Sequence, residues 1–191
     1  MKRISEHIRC WFDHVRLAVL LQFVAASFLI ALVAPAVKAQ TQPSPSALKP
    51  ELQPLSFFIG QWNCQGEFPA SQKQISARIS VSPDLEGSWL AFRWDDNAPN
   101  VFHALELWGF DKTAHHFTNF IHDNFGGARL FNSSGWDGDT LTWTGDALAN
   151  PPALNQRFVI ERKSPKEFVI SWEVSKPQAD WVVGDRLTCR Q

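Results

Sequence analysis

The sequence predicts an all-β fold, an up-and-down antiparallel barrel of about ten strands. Three observations predict it. After Phe57, apolar residues recur with a period of two and without helical spacing. Runs of this kind are separated by short turn sequences such as "SPD", "FGG" and "DG". A meander of this length is expected to close into a barrel, because open strand edges pair with other chains.

The strands follow one another along the chain, each ending where a turn sequence begins. Asp-Gly in "WDGDT" favours a two-residue hairpin turn. The predicted strands cover residues 58–68, 73–81, 85–95, 101–111, 115–124, 128–136, 139–147, 155–163, 166–175 and 180–189.

The N-terminal 39 residues have a different composition from the rest of the chain. A basic start precedes the apolar run 17–36, and "AVKAQ" fits a signal-peptidase site, so residues 1–39 are predicted to be a signal peptide. The alternative is an uncleaved anchor, because about 20 apolar residues cross a bilayer. Residues 40–54 are predicted to be a flexible Pro/Ser-rich tether with a short helical turn near 51–57. Residues 55–191 are the predicted barrel domain, exported to the periplasm or secreted.

Composition and charge narrow the class of partner. The 191 residues carry a formal net charge of -1 and include 9 Trp and 15 Phe. A near-neutral chain lacks the basic surface that binds nucleic-acid phosphates, so no nucleic acid is expected as a partner. No membrane partner is expected after signal cleavage. The expected partner is a small apolar molecule, with a homodimer as an alternative assembly.

Two cysteines lie in the first and last predicted strands. Trp62 and Cys64 alternate with polar residues, and so do Leu187 and Cys189, which places both thiols on the inner, apolar face. The first and last strands of a closed barrel are neighbours, so a Cys64–Cys189 disulfide is predicted. Two buried free thiols are the alternative. A nucleophilic role is disfavoured because an apolar setting does not lower the pKa of a thiol.

The opening "FFIGQWNCQGEF" resembles the Gly-x-Trp start of calycin-type barrels, which include lipocalins, fatty-acid-binding proteins and nitrobindins. Together with "LEGSWLAFRWDD", "LELWGFDKTAHHFTNFIHDN" and "SSGWDGDTLTWTGD", it resembles a bacterial family of calycin-like barrels over residues 55–190. The resemblance implies structural roles for Gly60, Trp62 and Gly66, with Trp62 closing one end. It also implies that Arg186 or Arg190 covers Trp62.

Nitrobindin-like barrels bind haem through a His near the C-terminus. This chain has Cys64 in place of the middle Gly of their opening motif, and no His follows Leu141. No cofactor is therefore predicted, haem included.

The third to sixth strands break the apolar-in, polar-out pattern and are the predicted ligand-binding region. A two-residue loop at Lys112 and Thr113 would place His103 opposite His122. Two histidines fall short of a usual zinc site, so no metal is predicted. The candidate ligand-binding residues are Trp89, Arg93, His103, Glu106, Asn119 and His122, with Glu106 and Asn119 forming a second facing pair.

The sequence contains no Gly-x-Ser-x-Gly, His-Glu-x-x-His or phosphate-binding loop, and no catalytic residue is predicted. The predicted function is an exported, non-catalytic binding protein for a small, largely apolar ligand in the barrel lumen. One alternative is a haem/NO-handling or isomerase-type enzyme on the same barrel. Another is a filled barrel that acts as a structural or dimerisation module.

Overall fold

The computed structural model describes residues 47–148 and 154–191. The predicted signal peptide, 1–39, and residues 40–46 of the predicted tether lie outside this part of the chain. The strands are β1 (Gly60–Phe68), β2 (Lys73–Asp84), β3 (Trp89–Asp96), β4 (His103–Asp111), β5 (His116–Asp123), β6 (Ala128–Ser133), β7 (Trp136–Asp137), β8 (Thr140–Leu148), β9 (Leu154–Ser164), β10 (Glu167–Ser175) and β11 (Val182–Arg190).

The sheet is closed and antiparallel, as predicted. Consecutive strands pair from β1 to β6 and from β8 to β11, and β1 pairs with β11. A short pairing between β6 and β8, at Phe131↔Gly145 and Asn132↔Thr144, completes the cylinder. Within the described residues this makes a ten-stranded barrel, with the two-residue β7 added as a hairpin on β8.

Alternation along the strands places the core inside the cylinder. In β2, the side chains of Ile75, Ala77, Ile79 and Val81 are buried, and the residues between them are more exposed. Two predicted boundaries are corrected. The chain forms a 3₁₀ turn at Leu85–Gly87 where the third strand was expected to begin. The predicted strand 128–136 divides into β6 and β7.

The seam between β1 and β11 carries the predicted disulfide. Cys64 and Cys189 are directly opposite in the antiparallel register and form a disulfide. Next to them, a Cβ atom at Gly66 would lie 1.9 Å from the carbonyl oxygen of Arg186. Only glycine lets the two strands approach this closely at that position. The structure therefore confirms the predicted cross-link between the first and last strands.

A 3₁₀ helix, Pro50–Phe58, lies at the end of the barrel where β1 begins. Its Leu52, Leu55 and Phe58 side chains are fully buried in the core. Trp62 donates a hydrogen bond from Nε1 to the carbonyl oxygen of Phe58 at 2.8 Å, which ties the helix to β1. The helical turn expected near 51–57 is present, but the end of the predicted flexible tether is part of the core because its leucines pack inside.

The predicted arginine cover over Trp62 is wrong. Arg186 and Arg190 lie on the outer face, where they pair with Glu161 and Glu167. Strand alternation keeps them outside the barrel. The Trp62 indole is covered instead by rings of Phe57 and Phe168, with centroid distances of 5.4 and 4.7 Å.

We expect the disulfide to stabilise the fold by limiting the entropy of the unfolded chain. The cross-link spans 125 residues, for which loop closure contributes about 4–5 kcal/mol at most. The Cys64→Ala, Cys189→Ala double variant should therefore unfold at a lower urea concentration than the oxidised wild type.

Urea titrations of the wild type with and without reductant supply the control. The urea midpoint of the reduced wild type should lie close to that of the double variant. An oxidised midpoint equal to the reduced midpoint would show that closure of the sheet alone restrains the seam.

Candidate ligand-binding cavity

The lumen is filled at the end covered by the 3₁₀ helix and open at the other end. A cavity of about 310 Å³ occupies the open half. Phe125, in the loop between β5 and β6, is 70% exposed and stands at its mouth. The lining is mainly aromatic and aliphatic, with five charged or amide side chains; it comprises Phe68, Ile75, Phe92, Trp94, Asp96, Phe102, Glu106, Trp108, Asn119, Ile121, Phe125, Arg129, Phe158, Ile170, Trp172 and Asp185.

The floor of the cavity is aromatic. Phe92 on β3 stacks on Trp108 of β4 with a centroid distance of 4.6 Å and an interplanar angle of 18°. Below this pair, Trp108 meets Trp143 at 5.1 Å and Phe58 of the 3₁₀ helix at 5.0 Å. The cavity therefore rests on the packed half of the core.

Glu106 is the most buried ionisable group of the cavity. It is 8% exposed, and its Oε2 accepts hydrogen bonds from Trp108 Nε1 at 2.8 Å and Asn119 Nδ2 at 2.6 Å. Burial raises the pKa of Glu106 to about 7, because desolvation outweighs these hydrogen bonds and the nearby charge of Arg129. The side chain therefore changes its protonation state near neutral pH.

Two further carboxylates line the cavity on its other side. Asp96 ends β3 and accepts a hydrogen bond from Trp94 Nε1 at 2.7 Å, and burial raises its pKa. Asp185 on β11 accepts from the backbone nitrogen of Trp172 at 3.3 Å. Burial, with the nearby Asp96 charge, raises the pKa of Asp185 to about 6.

Arg129 is the cation of the cavity lining. It lies on β6 and pairs with Asp123 of β5 at 2.5 Å. Burial alone would raise the pKa of Asp123, but backbone N–H donors from Gly127 and Phe125 and the Arg129 guanidinium hold it below the usual range. Arg129 is therefore neutralised by a carboxylate at the mouth.

Two buried polar atoms of the lining residues have no hydrogen-bond partner within the described part of the chain. They are Oδ1 of Asn119 and Nε1 of Trp172. An unmade hydrogen bond at a buried atom costs about 1–3 kcal/mol. Both atoms have almost no accessible surface, so a ligand group in the cavity would reach them only after the side chain rotates.

The structure brings only part of the predicted site together. Glu106 and Asn119 line the cavity and bind each other. The other four candidates lie outside the lining. Arg93 and His103 both bind Asp95 on the outer face, His122 is exposed, and Trp89 packs on Phe120 outside the barrel.

The predicted register between β4 and β5 is wrong by two residues. Leu105, and not His103, pairs with His122, because the connecting loop has four residues, 112–115, between Asp111 and His116. Asp111 Oδ1 accepts hydrogen bonds from the backbone nitrogens of Thr113 and Ala114, which stabilises the longer loop. A shift of two residues preserves the face of each side chain, so Glu106 and Asn119 still meet, as diagonal neighbours.

Sequence reasoning missed Asp96, Asp185 and the polar edge of Trp172. The signal was present in the alternation. Asp96 shares the inward parity of Phe92 and Trp94, and Asp185 shares that of Leu187 and Cys189. Alternation alone does not predict a carboxylate at an inward position, because carboxylates are rarely buried.

The lining does not fit haem or a metal ion. None of the lining residues is His, Cys or Met, so the described cavity wall offers no such side chain as an axial ligand to haem iron. The described residues also contain no group of three His, Cys, Asp or Glu side chains placed to hold a metal ion.

Fold and cavity together define a closed antiparallel barrel with an internal site, consistent with a calycin-like barrel. A solved structure of similar fold is the crystal structure of Rv2717c from M. tuberculosis, with a TM-score of 0.52 and 13% sequence identity. The match covers 75% of this chain and 98% of that chain. No protein-family profile matches the sequence. No curated protein matches it either. At this identity the likeness shows the fold alone.

We expect Glu106→Gln to stabilise the protein increasingly as pH rises. The folded pKa of about 7 lies above the ordinary 4.5, so the native state keeps a proton that the unfolded chain releases. The free energy of unfolding of the wild type should therefore fall between these two pH values, by about 3 kcal/mol. Urea unfolding of both proteins from pH 4.5 to 8 measures the difference.

Glu161→Gln is the matched control. Glu161 lies on the outer face, where a hydrogen bond from Lys163 lowers its pKa. The Glu161→Gln substitution should not raise the free energy of unfolding at high pH. If the difference in free energy of unfolding between Glu106→Gln and the wild type stayed constant from pH 4.5 to 8, the raised pKa of Glu106 would be contradicted.

Proposed function

We propose that this protein binds a small, largely apolar ligand in the lumen of its barrel, without catalysis. The observation that carries the proposal is the cavity of about 310 Å³ inside a closed sheet, walled mainly by aromatic and aliphatic side chains. Its volume falls at the lower end of the range typical of small-molecule sites. The filled-barrel alternative is disfavoured, since packed aromatic rings occupy only one half of the lumen.

The rigid walls also support binding. The cavity is framed by paired strands and rests on the stacked rings of Phe92 and Trp108. A site that exists before the ligand arrives costs little ordering on binding. Entry would occur at the mouth beside Phe125 and Phe102, whose rings lie 6.4 Å apart.

Export is part of the proposal. The Cys64–Cys189 disulfide indicates an oxidising compartment, and the N-terminal basic and apolar sequence supports a signal peptide. No helix in the described ranges is long and apolar enough to span a membrane.

A second candidate function is proton transfer, and Glu106 is the observation that favours it. A buried carboxyl with a pKa of about 7 in a cavity is suited to general acid or base catalysis. It would act on a ligand bound in the same cavity. Glu106→Gln would then abolish turnover, whereas a binding protein has no turnover to lose.

The outer face of β3–β5 supports a homodimer as the proposed assembly. Leu105 and Phe120 are 41% and 39% exposed, and Trp89 packs beside Phe120. Light scattering that shows a monomer at all concentrations would remove this part of the proposal.

Filling the cavity should abolish binding. We expect N-phenyl-1-naphthylamine, a neutral dye that brightens in apolar surroundings, to bind the wild type with one site per chain. Ile121→Trp places an indole in the cavity, because Ile121 is 4% exposed and lines it. Fluorescence titration should show at least a tenfold loss of affinity for Ile121→Trp. If the indole prevents that variant from folding, Ile170→Phe replaces it in the test and should also lower the affinity.

Phe120→Trp is the matched control, since Phe120 is the outward-facing neighbour of Ile121 on β5. It should bind the dye like the wild type. Equal binding by the folded inner and outer variants, or no binding by the wild type, would overturn the proposed function.

A further inference from the structure

We propose that the ligand of the cavity carries a protonated amine on an apolar, ring-sized body, with the ammonium group held at Glu106 and Asn119. This inference rests on the proposed function, because it names the class of molecule that the cavity accepts. It follows from the distribution of charge, of hydrogen-bonding groups and of aromatic faces around the cavity.

The cavity contains an excess of carboxylates. Asp96, Glu106 and Asp185 all line it, and none of the three forms an ion pair within the described ranges. Arg129, the cation of the lining, already has Asp123 as its partner. A buried carboxylate is stabilised most by an opposite charge. The missing charge is therefore positive and has room to enter as part of a ligand.

The free hydrogen-bonding positions near Glu106 are acceptors. Trp108 and Asn119 both donate to Oε2 of Glu106, and no hydrogen bond from a described residue reaches Oε1. Asn119 itself is 1% exposed, and its Oδ1 has no partner in the described structure. Oε1 of Glu106 is therefore an open acceptor, and a rotation of the buried Asn119 amide would present a second one. An ammonium group offers up to three N–H donors to such acceptors.

The walls beside Glu106 are aromatic faces. Phe92 pairs directly with Glu106 in the register of β3 and β4, and its ring stacks on Trp108. Trp94 lines the cavity one inward position further along β3. An organic cation is attracted to such faces as well as to the carboxylate, while its apolar body replaces water against them.

Other ligand charges fit the cavity less well. A bare metal ion would need several ligands at one point, and the described residues provide no such group. An anion would meet three carboxylates, with Arg129 already paired. A neutral polyol would satisfy the acceptors but would leave the carboxylate charge uncompensated.

Binding of an amine should depend on pH. Glu106 faces Trp108 on its own strand, Asn119 from β5 and Arg129 from β6, with Asp96 and Asp185 across the cavity. With a pKa of about 7 in the ligand-free protein, Glu106 is neutral in mild acid and charged above neutrality. Affinity for a cation should therefore rise from pH 5.5 to pH 8, with release of a proton on binding.

The test compares three ligands that share one ring system and differ in charge. These are 2-(1-naphthyl)ethylammonium, 2-(1-naphthyl)ethanol and 1-naphthylacetate, titrated calorimetrically into the full mature protein at pH 5.5 and pH 8. At pH 8 we expect the cation to bind about tenfold to a hundredfold more tightly than the alcohol. The anion should bind most weakly.

Glu106→Gln keeps the size of the side chain and removes its charge. It should lower the affinity for the cation at pH 8 toward that for the alcohol and flatten the pH dependence above pH 7. Asp185, whose pKa burial raises to about 6, should leave a smaller pH dependence between pH 5.5 and pH 7. Asp95→Asn is the matched control, because Asp95 carries its carboxylate on the outer face beside Asp96. The Asp95→Asn variant should prefer the cation as strongly as the wild type does.

Binding of N-phenyl-1-naphthylamine distinguishes failure of the amine inference from failure of the proposed function. If the dye binds in the cavity and the alcohol or the anion equals the cation, the proposed function stands and the amine inference is overturned. If the dye and all three ligands fail to bind, the proposed function fails as well. A preference for the cation that is as large in Glu106→Gln as in the wild type would also overturn the assignment of the ammonium to Glu106.

Discussion

The closure of the sheet is the constraint on which the rest of the structure depends. Once β1 pairs with β11 and β6 with β8, every strand residue has either the lumen or the solvent as its surroundings. The Cys64–Cys189 bond holds the seam between the first and last strands, which is the contact most distant in sequence. Glycine at position 66 lets the two backbones approach beside it. The site exists because the cylinder around it cannot open easily.

Within the cylinder, packing is unequal along the axis. The 3₁₀ helix and Trp62 fill one end with rings that meet at about the distances usual for aromatic pairs. At the other end, the inward positions of β3, β4 and β11 hold Asp96, Glu106 and Asp185. Carboxylates do not pack against one another as rings do, so this end retains a cavity. The boundary between the two halves is the stacked pair of Phe92 and Trp108.

Much of the fold was predictable from the sequence because the face of a residue depends on parity alone. The inward direction of Cys64 and Cys189 follows from parity, and so does the shared face of Glu106 and Asn119. The order of the strands follows from the short turns between them. Register does not follow from parity, because it depends on loop length. The side-chain bonds of Asp111 stabilise a four-residue loop where a two-residue loop was expected. The volume of the lumen was also beyond sequence reasoning, since it depends on how rings from distant strands pack.

The polar groups of the open half indicate a function because they lower the stability of the fold. Glu106 is buried without a cation, and Asn119 keeps a buried oxygen without a partner in the described structure. Apolar side chains of similar size at these two positions would avoid the cost of burying a charge and an unsatisfied amide. Local rules of folding are broken where another requirement is stronger. Here the breaks fall on adjacent strands, share one hydrogen bond and border one cavity. The aromatic end next to them is filled by buried hydrophobic side chains. A ligand that supplies a positive charge and hydrogen-bond donors would offset both costs at once, which links the polar defects of the barrel to a single occupant.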